Sequence, residues 1–101
     1  LARATIEKLM DEQRIVTLVY PTFRRTSARI GEPQRGANGN LSALTGLPAI
    51  SVPAGFADDG MPVGLELLGR GFSDGELVKL AYAYEQATHH RHPPASTPPL
   101  R

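Results

Sequence analysis

The chain contains no cysteine and no tryptophan, and aromatic residues make up only 6% of its 101 positions. Without thiols it has no disulfide framework and no thiolate metal site, so nothing argues for export and the cytoplasm is the expected location. Net charge is equally scarce, since 11 basic and 10 acidic side chains leave +1. The basic residues are scattered, which points away from nucleic acid and from anionic membrane surfaces as partners. No apolar run approaches the roughly 20 residues that a membrane helix needs. No apolar signal-peptide core opens the chain either. The length allows one domain, which at this size buries roughly two-thirds of the surface of its extended form. The sequence starts at Leu1 inside a helical pattern with no cap ahead of it, so a preceding segment is expected.

What is present is organised by period. Ala2, Ile6, Leu9 and Met10 recur at helical spacing, while Arg3 with Glu7 and Lys8 with Glu12 stand one turn apart. That pattern predicts a helix over residues 1–12. The β-branched, apolar run from Ile15 to Tyr20 reads as a strand covered on both faces, ended by Pro21. Thr22 to Gly36 is polar and aperiodic and reads as a long loop carrying Arg24, Arg25, Arg29 and Arg35. Asn38 or Asn40 is placed to cap a short helix bearing Leu41 and Leu44, with Gly46 as its left-handed C-cap and Pro48 preventing continuation.

Two strands follow within Gly46 to Phe56 and Val63 to Arg70, joined by a tight turn at Asp58-Asp59-Gly60. Pro53 removes a ladder donor, so an edge or a bulge is expected there. Ser73 and Glu76 have capping-box spacing, with Phe72 and Leu77 as a hydrophobic staple, and fix the start of a last helix. Its inward stripe is Leu77, Leu80, Ala81, Tyr84 and Thr88. From His92 the proline-rich run reads as an extended tail. The expected organisation is one α/β (mixed α+β) domain over residues 1–91, in the order α-β-α-β-β-α, and a flexible tail over 92–101. A small mixed sheet of about three strands is covered by helices, with the first strand parallel to a hairpin strand through the short helix. Three strands leave two edges open, so self-association or a missing sheet partner is expected.

Four blocks in this order carry a family resemblance: Tyr20-Pro21-Thr22, then Ala43 to Phe56 with its core Gly-Leu-Pro-Ala-Ile-Ser-Val-Pro-Ala-Gly-Phe, then Gly60 to Arg70, then Leu80 to Glu85. Together they resemble the C-terminal segment of amidase-signature hydrolases, from the first strand to Gln86. The resemblance implies hydrolysis of amide C–N bonds by a serine nucleophile, a second serine in a cis peptide and a lysine. It also implies that those residues lie upstream of these blocks. This chain has no Gly-Gly-Ser-Ser run; Ser27, Ser42, Ser51, Ser73 and Ser96 are isolated, and Lys8 and Lys79 fall on solvent faces of helices. No residue is therefore carried over as catalytic. Ala43 and Glu66 depart from the asparagine and glutamine common in relatives. The loop after Tyr20-Pro21-Thr22 approaches the substrate pocket in relatives, which makes Pro21, Thr22 and Phe23 candidate pocket wall.

Other candidates have plainer readings. His89, His90 and His92 are read as solvated groups at a helix C-terminus rather than metal ligands. Ser51, between Ile50 and Val52 with no base beside it, is read as framework. The loop arginines are read as solvated, although such a cluster suits a carboxylate or phosphate. No metal and no cofactor is expected. The expected function is that of a C-terminal fragment or truncated relative of an amidase, not catalytic as this chain alone and partnered by the missing N-terminal part. The alternative is a free-standing amidase-derived module that self-associates and acts by binding or scaffolding.

Overall fold

The computed structural model of the chain describes residues 2–97; Leu1 and residues 98–101 of the expected tail lie outside the described residues. Its elements follow the expected order: α1 (Ala2–Gln13), β1 (Thr17–Pro21), α2 (Asn40–Thr45), β2 (Ala49–Phe56), β3 (Pro62–Gly69) and α3 (Asp74–Thr88). On α1 the anticipated ion pairs form, Arg3 with Glu7 at 3.5 Å and Lys8 with Glu12 at 3.8 Å.

The strands make one sheet in the order β1-β3-β2, and both pairings are antiparallel. The expected parallel pairing is thus corrected, and the sheet is not mixed. β1 and β2 do point the same way, but β3 stands between them, so the α2 connection skips one strand position. The reason lies in the prolines and the leucines. Pro53 lies within β2 and Pro21 ends β1, which suits both to edges, whereas Leu65, Leu67 and Leu68 give β3 apolar side chains for both faces. The bulge anticipated near Pro53 is present: Pro53 faces Gly64 and Gly55 faces Val63, leaving Ala54 as the extra residue.

The register sorts the two faces. Ile50, Val52, Leu65 and Leu67 share one face, and α3 covers it through Leu77 and Ala81, with Leu80 and Tyr84 packed alongside. On the other face Leu68 is fully buried, and Met10 of α1 and Leu47 after α2 are buried to the same degree. Arg70 fastens α1 to the end of β3, its guanidinium donating to Asp11 and, at 3.1 Å, to the Ile15 carbonyl.

Four local expectations are corrected. Strand β1 is not covered on both faces: α3 lies over β2 and β3, and Val16 and Val19 stay more than half exposed. The N-cap of α2 is Gly39, because the Asn38 side chain donates instead to the Pro21 carbonyl at 2.7 Å; Thr45 is buried while Leu44 is exposed. Gly46 does adopt the left-handed C-cap, with φ 71°. Ser73 stands at the N-cap of α3, but at φ −95° and ψ 23° its hydroxyl turns back to donate to the Arg70 carbonyl at 2.7 Å. The capping-box bond to the helix is therefore not made. Phe72 has φ 62° and its ring is 98% exposed, so the staple to Leu77 is absent as well.

Candidate functional site

On the face away from α3, the strands set polar side chains side by side. Tyr20 of β1 is in register with Glu66 of β3, which is in register with Ser51 of β2. The Tyr20 hydroxyl donates to Glu66 Oε2 at 2.5 Å. Burial, reinforced by the hydrogen bond to the Glu66 carboxylate and by its charge, pushes the Tyr20 phenol well above its ordinary value. Tyr20 therefore remains a protonated donor.

One step along the sheet, the Thr22 backbone N–H donates to the Gly64 carbonyl at 3.0 Å. This places Thr22 Oγ1 2.7 Å from Ser51 Oγ. Gly64 has to be glycine for this to happen, since a Cβ there would stand 3.0 Å from the Thr22 hydroxyl oxygen and 3.1 Å from that of Ser51. When two hydroxyls bond to each other, one spends its proton and the other keeps it. The pair thus offers one O–H donor and several lone pairs to a third group. Ser51 is bonded to a hydroxyl, a group that cannot take its proton, so the arrangement can hold a polar ligand but does not activate a nucleophile.

A cleft of about 1000 Å³ opens beside this pair. Its floor is the hairpin, from Ser51, Phe56, Val63 and Gly64, and one side is formed by Thr22 and Phe23. The opposite side comes from residues beyond α3, Arg91 to Ala95, fixed by His92 stacking on Phe56 with centroids 4.2 Å apart and planes 25° apart. Thr22 and Phe23 therefore line the cleft. Pro21 is not among its lining residues; its carbonyl accepts the Asn38 side chain. The loop after β1 is closed at its base by Arg24 N–H to the Gly36 carbonyl at 2.7 Å and Asn38 N–H to the Thr22 carbonyl at 2.9 Å.

The other candidates fall elsewhere. Lys8 and Lys79 are exposed and pair with Glu12 and Glu76. His89 is the left-handed C-cap of α3, and His90 lies against Tyr84 with centroids 6.1 Å apart. Among the described residues no cluster of three or more histidine, aspartate or glutamate side chains is placed to hold a metal ion. Sequence reasoning missed Arg91 and His92 as cleft residues, because only the long-range stack on Phe56 brings them there. The Tyr20–Glu66 pair had a signal, since both belong to resemblance blocks and Glu66 is the one charged residue of an otherwise apolar strand.

Comparison with known proteins places these elements. The family described as Amidase matches residues 2–78. The chain is 42% identical over 94 residues to a glutamyl-tRNA(Gln) amidotransferase subunit of Symbiobacterium thermophilum, covering 84% of this chain and 19% of that protein. Against the corresponding protein of Desulforudis audaxviator it is 50% identical over 107 aligned positions, covering 95% and 22%. Among solved structures, the native peptide amidase of Stenotrophomonas maltophilia superposes with a TM-score of 0.80 at 35% identity, over 92% of this chain and 20% of that one. The glutamyl-tRNA(Gln) amidotransferase protein of Thermotoga maritima superposes at 0.73 and 31%, over 89% of this chain and 22% of that one. The chain thus spans about a fifth of the length of the relatives it matches. By sequence and by fold, the chain belongs to the amidase family, the amidase-signature enzymes.

Proposed function

We propose that this chain is the C-terminal portion of an amidase-signature hydrolase. In this reading it supplies three sheet strands and a cleft wall, with Thr22 and Phe23 facing the substrate pocket and Pro21 shaping the strand end behind them. The nucleophile and base that break the amide C–N bond come from polypeptide upstream. One observation carries the reading: nearly the whole chain superposes on about a fifth of a peptide amidase. The open β1 edge and the exposed Val16 and Val19 fit an upstream partner that would cover them. Its small net charge argues against nucleic acid, and among the described residues no helix is long and apolar enough to cross a membrane. A cytoplasmic site and the absence of any cofactor belong to the same reading.

The test is to replace the C-terminal fifth of the Stenotrophomonas peptide amidase with this chain, both as a fusion and as a separately added polypeptide, and to follow amide hydrolysis. Turnover is expected from the assembled protein and not from the chain alone. Hydrolysis by the chain alone, lost in Ser51→Ala, would overturn the assignment. The second reading, a self-associating binding module, rests on the same exposed edge. It predicts a dimer in solution whose mass falls to that of a monomer in Val19→Lys.

A further inference from the structure

The cleft carries a charge pattern that bears on its ligand. Phe23, Phe56 and Val63 come from three different segments, yet all three reach the cleft, and they remain 44%, 41% and 37% exposed. Apolar side chains converging in a concavity, unlike singly scattered ones, mark a binding surface. A smaller groove shares Phe23, Pro62, Val63 and Gly64 with the cleft and is also lined by Arg25, Ser27 and Gln34. Arg25, Arg91 and His92 thus stand along this surface, and neither the cleft nor the groove is lined by any aspartate or glutamate. Elsewhere Arg3, Lys8, Arg70 and Lys79 each pair with a carboxylate. None of the ion pairs among the described residues involves Arg25 or Arg91. Arg14, Arg24, Arg29 and Arg35 also form no ion pair among the described residues, but Arg25 and Arg91 are the two unpaired arginines beside the apolar wall, where a guanidinium's planar fork suits a carboxylate. Arg91 is held there because its neighbour His92 is stacked on Phe56.

We infer that the cleft takes an organic carboxylate with an apolar body, the anionic end at Arg91 and the body against Phe23, Phe56 and Val63. The inference rests on the amidase reading for the source of the ligand. Adding water across an amide C–N bond releases the acyl half as a carboxylate and the other half as an amine, so the ligand is the acid product or a substrate bearing a second carboxylate.

The test is titration of the 101-residue chain with phenylacetate, phenylacetamide and phenethylamine, followed by backbone-amide NMR shifts. Phenylacetate is expected to shift the amides of Phe56, Val63, Gly64 and Arg91. It is also expected to bind about fivefold more tightly than the neutral amide, the effect of one partly exposed ion pair, with the amine weakest. Arg91→Gln, an exposed substitution that leaves the packing intact, should abolish the acid's advantage and leave phenylacetamide unchanged, while Arg91→Lys should restore part of it. Phe56→Ala should weaken acid and amide alike. Equal affinity for the three probes, shifts mapping outside the cleft, or no response to any probe would overturn the proposal. The hydrolysis assay is independent. Charge-selective binding without turnover there sinks only the hydrolase reading, and turnover without charge selectivity here sinks only the ligand assignment.

Discussion

The Tyr20 hydroxyl reaches across the β1–β3 pairing to donate to Glu66 Oε2 at 2.5 Å, and Glu66 is only 7% exposed. A buried carboxylate at the centre of the sheet is thus answered from the edge strand. Tyr20→Phe keeps the ring and removes that donor, so it should cost about 1–3 kcal/mol in urea unfolding. Glu66→Gln removes the charge but keeps an acceptor for the Tyr20 proton. Its cost should be clearly smaller than that of Tyr20→Phe. Equal losses would mean that the carboxylate charge, not the hydrogen bond, is what the site requires.

The same pair predicts a dependence on alkaline pH. Burial and then Glu66 raise the Tyr20 phenol above its unfolded value of about 10. An acid whose folded pKa is raised contributes stability that is complete below the unfolded pKa and is lost as pH rises through the folded one. The urea midpoint should therefore begin to fall at about pH 10 and keep falling at higher pH, and Tyr20→Phe should reduce the fall. A midpoint with the same slope in both proteins would show that Tyr20 does not carry the linkage.

How far the fold could be read in advance depended on whether the deciding physics was local. Pro53 declared its bulge and edge position, and Gly46 its left-handed cap, because each depends on one residue's backbone. Leu77, Leu80, Ala81 and Tyr84 declared the inward face of α3 by period alone. The partner of β1 could not be read that way. Choosing between β2 and β3 required weighing two prolines against the leucines of β3, and the short helix suggested the wrong neighbour. Ser73 and Phe72 had the right spacing for a capping box and a staple, but the turn from Arg70 rotates both away from the helix. Thr22 and Phe23, singled out by the resemblance as pocket wall, line the cleft, whereas Pro21 does not. Arg91 and His92 were not legible, because no local pattern encodes a stack between residues as far apart in the chain as Phe56 and His92.

Close packing of β3 on α3 makes Gly69 a sensitive position. A Cβ there would collide with Ser73 Oγ and stand 3.0 Å from two carbons of the Leu77 side chain. Leu77 is buried in the core under α3 and cannot retreat without disturbing Val52 and Leu67. Gly69→Ala should therefore destabilise by about 1–3 kcal/mol. Gly75 is the control: it lies in the first turn of α3, and a Cβ there meets nothing within 4 Å. Gly75→Ala should stabilise by about 0.5–1 kcal/mol. The two midpoints should move in opposite directions.

Phe72 offers the clearest separation of local stability from partner binding. Its φ of 62° is left-handed, which costs a bulky side chain about 1–2 kcal/mol, and its ring, 98% exposed, recovers almost nothing by burial. Phe72→Gly relieves the strain, while the added freedom of the unfolded chain takes back about 0.4–1 kcal/mol. The isolated chain should become more stable by up to about 1 kcal/mol. If the exposed ring is an anchor for the upstream part of the enzyme, the same substitution should weaken assembly in the hydrolysis assay, so that stability rises while activity of the assembled protein falls. Phe72→Asn, which also tolerates this conformation, should behave alike. A chain destabilised by both substitutions would show instead that the ring packs on α3, as the staple spacing had suggested.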